Sequence, residues 1–457
     1  MPNNYVLLER IELNASAASV TFANIPQTGY TDLKVVVSGR TTYSGGGTAA
    51  AFLTFNSNTS SYSSRNIQGN GTTATSVSNT GGTSSMFFGY IPGTTYTAST
   101  FASYEVYVPN YTSANNKSVS IDSVTENNAT ASFANLVAGL WSNTAAITSI
   151  TFTPEAATGN WDTNSTFSLY GLAATGTTPT IAPKASGGNV IDYDGTYWIH
   201  TFNTNGTFTP QIGLTCDYLV VAGGGGGSQG GGGAGGLRST VTATGGAGSL
   251  ESALSVVSGT AYTVTVGAGG AGSTDEATAG TNGSNSVFST ITSNGGGTGG
   301  TLNSAGPAGT LGSGGGGGAD GSTSRAGANG TANQGFAGGA NSSNRGNPYP
   351  SGGGGGSGSV GTAGSGTTLG GAGGSGVAVS ISGSSVTYAG GGGGSVYNAG
   401  GTGGAGGSGG GGAGKTGGGG SGGVGTINTG SGGGGAGTNP ADGGAGGSGI
   451  VIIRYLA

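Results

Sequence analysis

The sequence predicts an all-β protein in two parts. An N-terminal jelly-roll-like β-sandwich is followed by a small β base that carries a glycine-rich bundle of polyglycine-II helices. Three observations predict this. Short apolar-polar alternations recur through the first 175 residues. Of 110 glycines in 457 residues, 20 lie in residues 1–222 and 90 beyond. Two apolar runs, Tyr218–Val221 and Ile450–Tyr455, bracket that glycine field.

The alternations mark half-buried strands, because side chains of a strand point to opposite faces in turn. They appear in Val20-Thr21-Phe22, Leu33-Val35-Val37, Phe52-Phe55 and Tyr104-Val106-Val108, then in Val119-Ile121, Ile147-Ile150-Phe152 and Phe167-Leu169. Asn, Gly, Ser and Thr clusters separate them, as in a sandwich. Leu136–Trp141 reads equally as a short helix or a buried strand. Thirteen of 18 tyrosines, 11 of 13 phenylalanines and all three tryptophans lie in residues 1–222, so a conventional core belongs there. The expected domains are 1–173 for the sandwich, 174–189 for a linker and 190–457 for the glycine-rich part. Within the last, 190–222 and 449–457 form the base and 223–448 the bundle.

Asp194-Gly195 and Asn205-Gly206 are hairpin dipeptides. Tyr197 and Trp198, between them, are expected at the base of the glycine domain. Inside the glycine field, Leu254–Val256 and Tyr262–Val266 flank Ser258-Gly259 and predict a hairpin. Val377–Ile381 and Val386–Tyr388 predict a second, and Val287-Phe288 with Ile291 marks a third apolar patch. Tyr218–Val221 and Ile450–Tyr455 are expected to be neighbouring strands. The glycine runs between them are of similar length. A polyproline-II-like helix makes no internal hydrogen bond and has three residues per turn. Stacked side by side, such helices bond to one another, and any Cβ between them blocks the approach. The alternative is a disordered Gly/Ser linker, for which the apolar inserts have no purpose.

Composition narrows the function. Prolines are few beyond residue 222 and the glycine period is irregular, which excludes collagen. Eleven basic and 16 acidic residues give a net charge of −5 with no basic patch, so no nucleic-acid partner is expected. No apolar stretch is long enough for a membrane helix, no signal peptide is evident, and membrane insertion is not expected. Gly409–Thr416 fits the P-loop pattern letter for letter. The strand before it and the helix after it, which phosphate binding requires, are missing. His200 is the only histidine and Cys216 the only cysteine. His200 reads as a strand-face residue, and no catalytic residue, metal site or cofactor is expected. Trp141 and Trp161 read as core, with sugar-stacking platforms as the alternative. Recognition candidates are large side chains in loops that interrupt the glycine runs: Arg325 and Phe336, Arg345 and Tyr349 in Asn344–Pro350, and Tyr397 in Ser395–Asn398. Aromatic and arginine side chains favour contact sites; the competing reading is that these loops cap the bundle ends.

The segments Phe202–Phe208, Asp217–Gly223, Tyr262–Gly272, Asn428–Gly432 and Ser448–Tyr455 resemble those of bacteriophage glycine-rich tail-fibre and adhesin proteins. Val20–Pro26, Tyr30–Leu33 and Ser168–Gly171 resemble a module of marine-phage structural proteins. The resemblance implies a virion surface protein, made in the host cytoplasm, with a scaffold and a recognition surface at loops of its distal end. Its implied partners are a host polysaccharide or outer-membrane protein, other virion proteins through the N-terminal domain, and further copies of itself, with a trimer expected. A decoration protein without receptor binding is the alternative, and a polysaccharide depolymerase a third reading.

Overall fold

The computed structural model describes residues 5–126, 132–155, 159–174, 182–275, 277–342, 347–416, 420–438 and 442–457. The chain is all-β, with several sheets and no α-helix among the described residues. It divides into two compact units. The first comprises residues 1–184, 189–198 and 457; the second comprises 185–188 and 199–456.

The first twelve strands are β1 (Tyr5–Glu12), β2 (Val20–Phe22), β3 (Tyr30–Gly39), β4 (Thr48–Phe55), β5 (Tyr62–Gly69), β6 (Ala74–Thr83), β7 (Met86–Pro92), β8 (Ala102–Val108), β9 (Lys117–Thr125), β10 (Phe133–Trp141), β11 (Ile150–Pro154) and β12 (Thr166–Ala173). Then follow β13 (Ala185–Ser186), β14 (Val190–Tyr193), β15 (Tyr197–Phe202), β16 (Gly206–Pro210), β17 (Leu214–Val221) and β18 (Leu237–Ser239). The remainder are β19 (Leu254–Val256), β20 (Tyr262–Thr265), β21 (Ser286–Phe288), β22 (Ile291–Ser293), β23 (Val377–Val379), β24 (Val386–Tyr388) and β25 (Ile450–Leu456).

The first unit is a β-sandwich. One antiparallel layer runs β14-β1-β12-β3-β8-β9-β10-β5-β6, and the other β2-β11-β4-β7. Strict alternation in β9 turns Val119 and Ile121 inward and Ser118, Ser120 and Asp122 outward. Leu136–Trp141 is strand, within β10, because the same alternation runs through it. Phe22, Phe55, Phe88, Phe152 and Phe167 fill the core together with Trp141 and Trp161. The two tryptophans are therefore core residues, and Trp161 Nε1 donates to Phe152 O at 3.1 Å. Asp194-Gly195 makes its turn, with Asp194 Oδ1 accepting from the Thr196 and Tyr197 amides. Tyr197 and Trp198 belong to this unit and not, as expected, to the glycine-rich one, and Trp198 is buried with its ring 5.2 Å from that of Tyr193.

In the second unit β17 and β25 are antiparallel neighbours, Leu219 facing Ile452 and Val221 facing Ile450. The bracketing apolar runs thus meet. β23 and β24 form the expected hairpin. Two local expectations are corrected. β19 and β20 do not pair with each other: the turn at Ser258-Gly259 sends β19 to β17 and β20 to β16. Those two strands lie in different sheets and each offers an unfilled edge. For the same reason Asn205-Gly206 does not join two paired strands; Asn205 Oδ1 instead accepts from the Val266 amide at 2.8 Å.

From β17 the chain runs outward through Gly223–Gly227, turns at Ser228-Gln229 and returns through Gly230–Gly236 to β18. Later runs repeat this. Successive amides of the returning run serve three different neighbours: Gly231, Gly232 and Gly233 donate to Gly352, Gly433 and Gly297 at 3.0, 2.8 and 2.7 Å. Ala234, Gly235 and Gly236 then return to the same three runs at Gly355, Gly430 and Asn294. Its carbonyls accept from three further runs, through the amides of Gly316, Gly392 and Gly225. The run thus has six bonded neighbours and a period of three, where a strand ladder has a period of two. A Cβ built on Gly231, Gly232 or Gly233 would overlap a neighbouring backbone carbonyl. This spacing is what requires glycine.

Candidate functional site: the loop end of the glycine-rich unit

Because the runs go out and back, their connecting loops gather at the two ends of the second unit. The end remote from β17 and β25 is marked by Gln229, whose backbone oxygen accepts from Ser351 Oγ at 2.7 Å and Ser395 Oγ at 3.0 Å. Together with the Ser395 amide at 3.1 Å, these buried serines gather their donors on one carbonyl at the end of the glycine runs.

Just beyond Ser351 and Ser395 lie two of the predicted loops. Pro350 and Val396 form an isolated bridge, the Tyr397 amide donates to Tyr349 O at 3.2 Å, and the Asn398 amide to Pro348 O at 3.0 Å. The rings of Tyr349 and Tyr397 are 6.5 Å apart, and both residues are half-buried. Tyr349 has φ +59°, left-handed backbone that costs a non-glycine residue about 1–2 kcal/mol. Flanking prolines and these backbone bonds hold it there, so the ring is presented with little freedom to lose on contact.

Arg325 joins them from a third loop. Its Nε donates to Asp320 Oδ2 at 2.6 Å. Asp320 also accepts from the Ser322 and Thr323 amides and the Ser322 hydroxyl. Burial pushes the Asp320 carboxyl up, but these bonds outweigh it and hold its pKa at about 2. The Tyr349 ring lies over Gly321, where an added Cβ would come 3.1 Å from it. Arg325, Tyr349 and Tyr397 are therefore brought to one end of the unit. Phe336 is not among them. Its amide donates to Gly356 O and its oxygen accepts from Gly314, near β18, and five residues of extended run, about 15 Å, separate it from Asn341 beside Arg325. Arg345 lies outside the described residues. The anchoring role of Asp320 was not read from the sequence; the signal was the spacing Asp320-Ser322-Thr323-Arg325, an acidic turn followed by a cation.

The other chemistry-bearing residues serve packing. His200 is buried in β15, with Nδ1 2.6 Å from Gly187 O and Nε2 3.0 Å from the Tyr455 hydroxyl. Burial lowers its pKa to about 4, so it is neutral at pH 7. In Gly409–Thr416 the amides of Gly411, Gly412, Gly414 and Lys415 donate to Gly407, Gly432, Gly404 and Gly435. These amides are engaged by carbonyls instead of facing a phosphate. Among the described residues no three His, Cys, Asp or Glu side chains converge as a metal site, and no helix is long and apolar enough to cross a membrane.

A glycine-rich unit on a β base, with loops collected at its far end, defines the class of the second unit. The family model for the glycine-rich domain matches residues 201–456, more than half of the chain, and the protein belongs to that family. No curated protein and no solved structure matches the chain.

Proposed function

We propose that the protein is a bacteriophage fibre or adhesin subunit, non-enzymatic, that contacts the host surface through loops at the far end of a polyglycine-II bundle. The three-residue hydrogen-bond period and six bonded neighbours of Gly230–Gly236 support the bundle, since three residues per turn with every polar group directed outward is the signature of that helix. The convergence of Arg325, Tyr349 and Tyr397 on one end carries the recognition reading. Their chemistry, two phenols beside a cation held by a buried carboxylate, suits hydroxyl-rich polysaccharide or an outer-membrane protein loop. In this reading the sandwich attaches to other virion proteins, the subunit is a trimer, and the protein resides on the virion surface.

The test is adsorption of the parent phage with Tyr349→Ala and Tyr397→Ala combined. Adsorption is expected to fall at least tenfold, about 1.4 kcal/mol or more, while the melting temperature of the purified chain stays unchanged. Unaltered adsorption favours the decoration-protein alternative. Location of the chain inside the capsid by electron microscopy contradicts both.

A further inference from the structure

The first unit carries a groove of its own. A cavity of about 750 Å³ is lined by side chains of β4, β5, β6, β7 and β11. In β4, Ala49, Ala51, Leu53 and Phe55 face the core, while Phe52 and Thr54 lie on the opposite, half-buried face, where a sandwich ordinarily places polar residues. Phe52 there meets Phe87 edge-on at 6.2 Å, and Phe87 meets Tyr90 at 5.3 Å. The three aromatic rings line one groove.

Asn66 lines it too. Its side chain belongs to a residue only 5% exposed, and its amide makes no hydrogen bond among the described residues. The side-chain amide is thus open to the groove, and polar groups so placed ordinarily find partners in ligand or water. Thr54, Ser85 and Tyr90, each of which carries a hydroxyl, also line the groove. Among the described residues no lysine or arginine lines it, and Glu155 does. The volume falls in the range of small-ligand sites, about 300–1,000 Å³.

We propose that this groove binds a neutral saccharide. Phe52, Phe87 and Tyr90 pack against the C–H face of a sugar ring, and the Asn66 amide, a donor and an acceptor together, pairs with its hydroxyls. An apolar peptide anchor would satisfy the rings and leave the amide unpaired. A phosphate or an acidic sugar would meet Glu155 and no cation. The proposal concerns the sandwich alone and is independent of the reading of the loop end.

The test titrates the full chain with maltopentaose, cellopentaose and chitopentaose in a calorimeter. At least one is expected to bind with a Kd below about 1 mM. Phe52→Ala is expected to weaken it at least tenfold. Thr54→Trp, which fills the groove from its half-buried side and leaves the core untouched, should do the same with an unchanged melting temperature, and it carries the test if Phe52→Ala unfolds. Failure of all three sugars to bind the wild type overturns the proposal. Equal affinity in Thr54→Trp overturns it as well. So does sedimentation showing a dimer that Thr54→Trp abolishes, since the occupant is then a second copy.

Discussion

Gly232→Ala is expected to destabilise the glycine-rich unit by about 3 kcal/mol or more. The added methyl would fall on the carbonyl of Gly225, with two further backbone carbons within 3.0 Å. No flexible side-chain end is available to yield. The Gly225 segment must shift, and the bonds Gly225 N to Gly233 O and Gly433 N to Gly225 O loosen with it. Leaving a buried backbone group unpaired costs about 1–3 kcal/mol by itself. Gly309→Ala is the control, because its nearest neighbour is the Leu311 side chain at 3.5 Å. Its expected effect is within about 0.5 kcal/mol. Calorimetric unfolding of the two variants measures the difference. A protein in which both changes are equally harmless does not have packed glycine runs.

The two units are expected to respond to pH with opposite sign. In the first, Glu9 lies in β1 and is 8% exposed, and burial together with the nearby Asp192 raises its pKa from 4.5 to about 9. The unfolded chain ionises Glu9 near pH 4.5, whereas the folded chain holds the proton until about pH 9. Between these values the unfolded state binds fewer protons, so stability is full below pH 4.5 and is lost as pH rises toward 9. The loss is of the order of 5 kcal/mol. Burial raises Asp192 as well, and its titration acts in the same direction. In the second unit His200 is protonated near pH 6.5 when unfolded but only near pH 4 when folded. That unit loses stability as pH falls from 6.5 to 4, by about 3 kcal/mol. The depressed Asp320 adds a further loss toward pH 2. All three tryptophans belong to the first unit, so their emission reports it alone. Urea midpoints followed by tryptophan emission should fall between pH 5 and pH 8, and Glu9→Gln should flatten that slope. A midpoint that rises with pH contradicts the buried, protonated Glu9.

The sandwich was legible because its signal is local. Val119-Ile121 and Tyr104-Val106-Val108 state the period of a strand within a few residues, and inward and outward faces follow. The pairing of β17 with β25 was legible because two apolar runs in a glycine field have only each other to cover them. The partners of β19 and β20 were not legible. Their choice depends on open edges at β16 and β17, which sequence spacing does not express. The loop end was legible in part. Tyr349 and Tyr397 stand out as aromatics among glycines, but that they meet, and that Phe336 does not join them, depends on which way each run travels. The groove at Phe52 and Asn66 was invisible for a related reason. One residue lies on β4 and the other on β5, and only the paired layers bring them to a common cavity.

Hydrogen exchange by mass spectrometry across residues 230–236, 295–318 and 400–437 tests the central claim most directly. In 230–236 every amide donates to a neighbouring run, and most of the described glycine amides in the other two segments do the same. The account predicts slow exchange there, lost together as one cooperative unit with the amides of β17. Exchange at the rate of an unstructured chain throughout these segments, with β17 still protected, would contradict it.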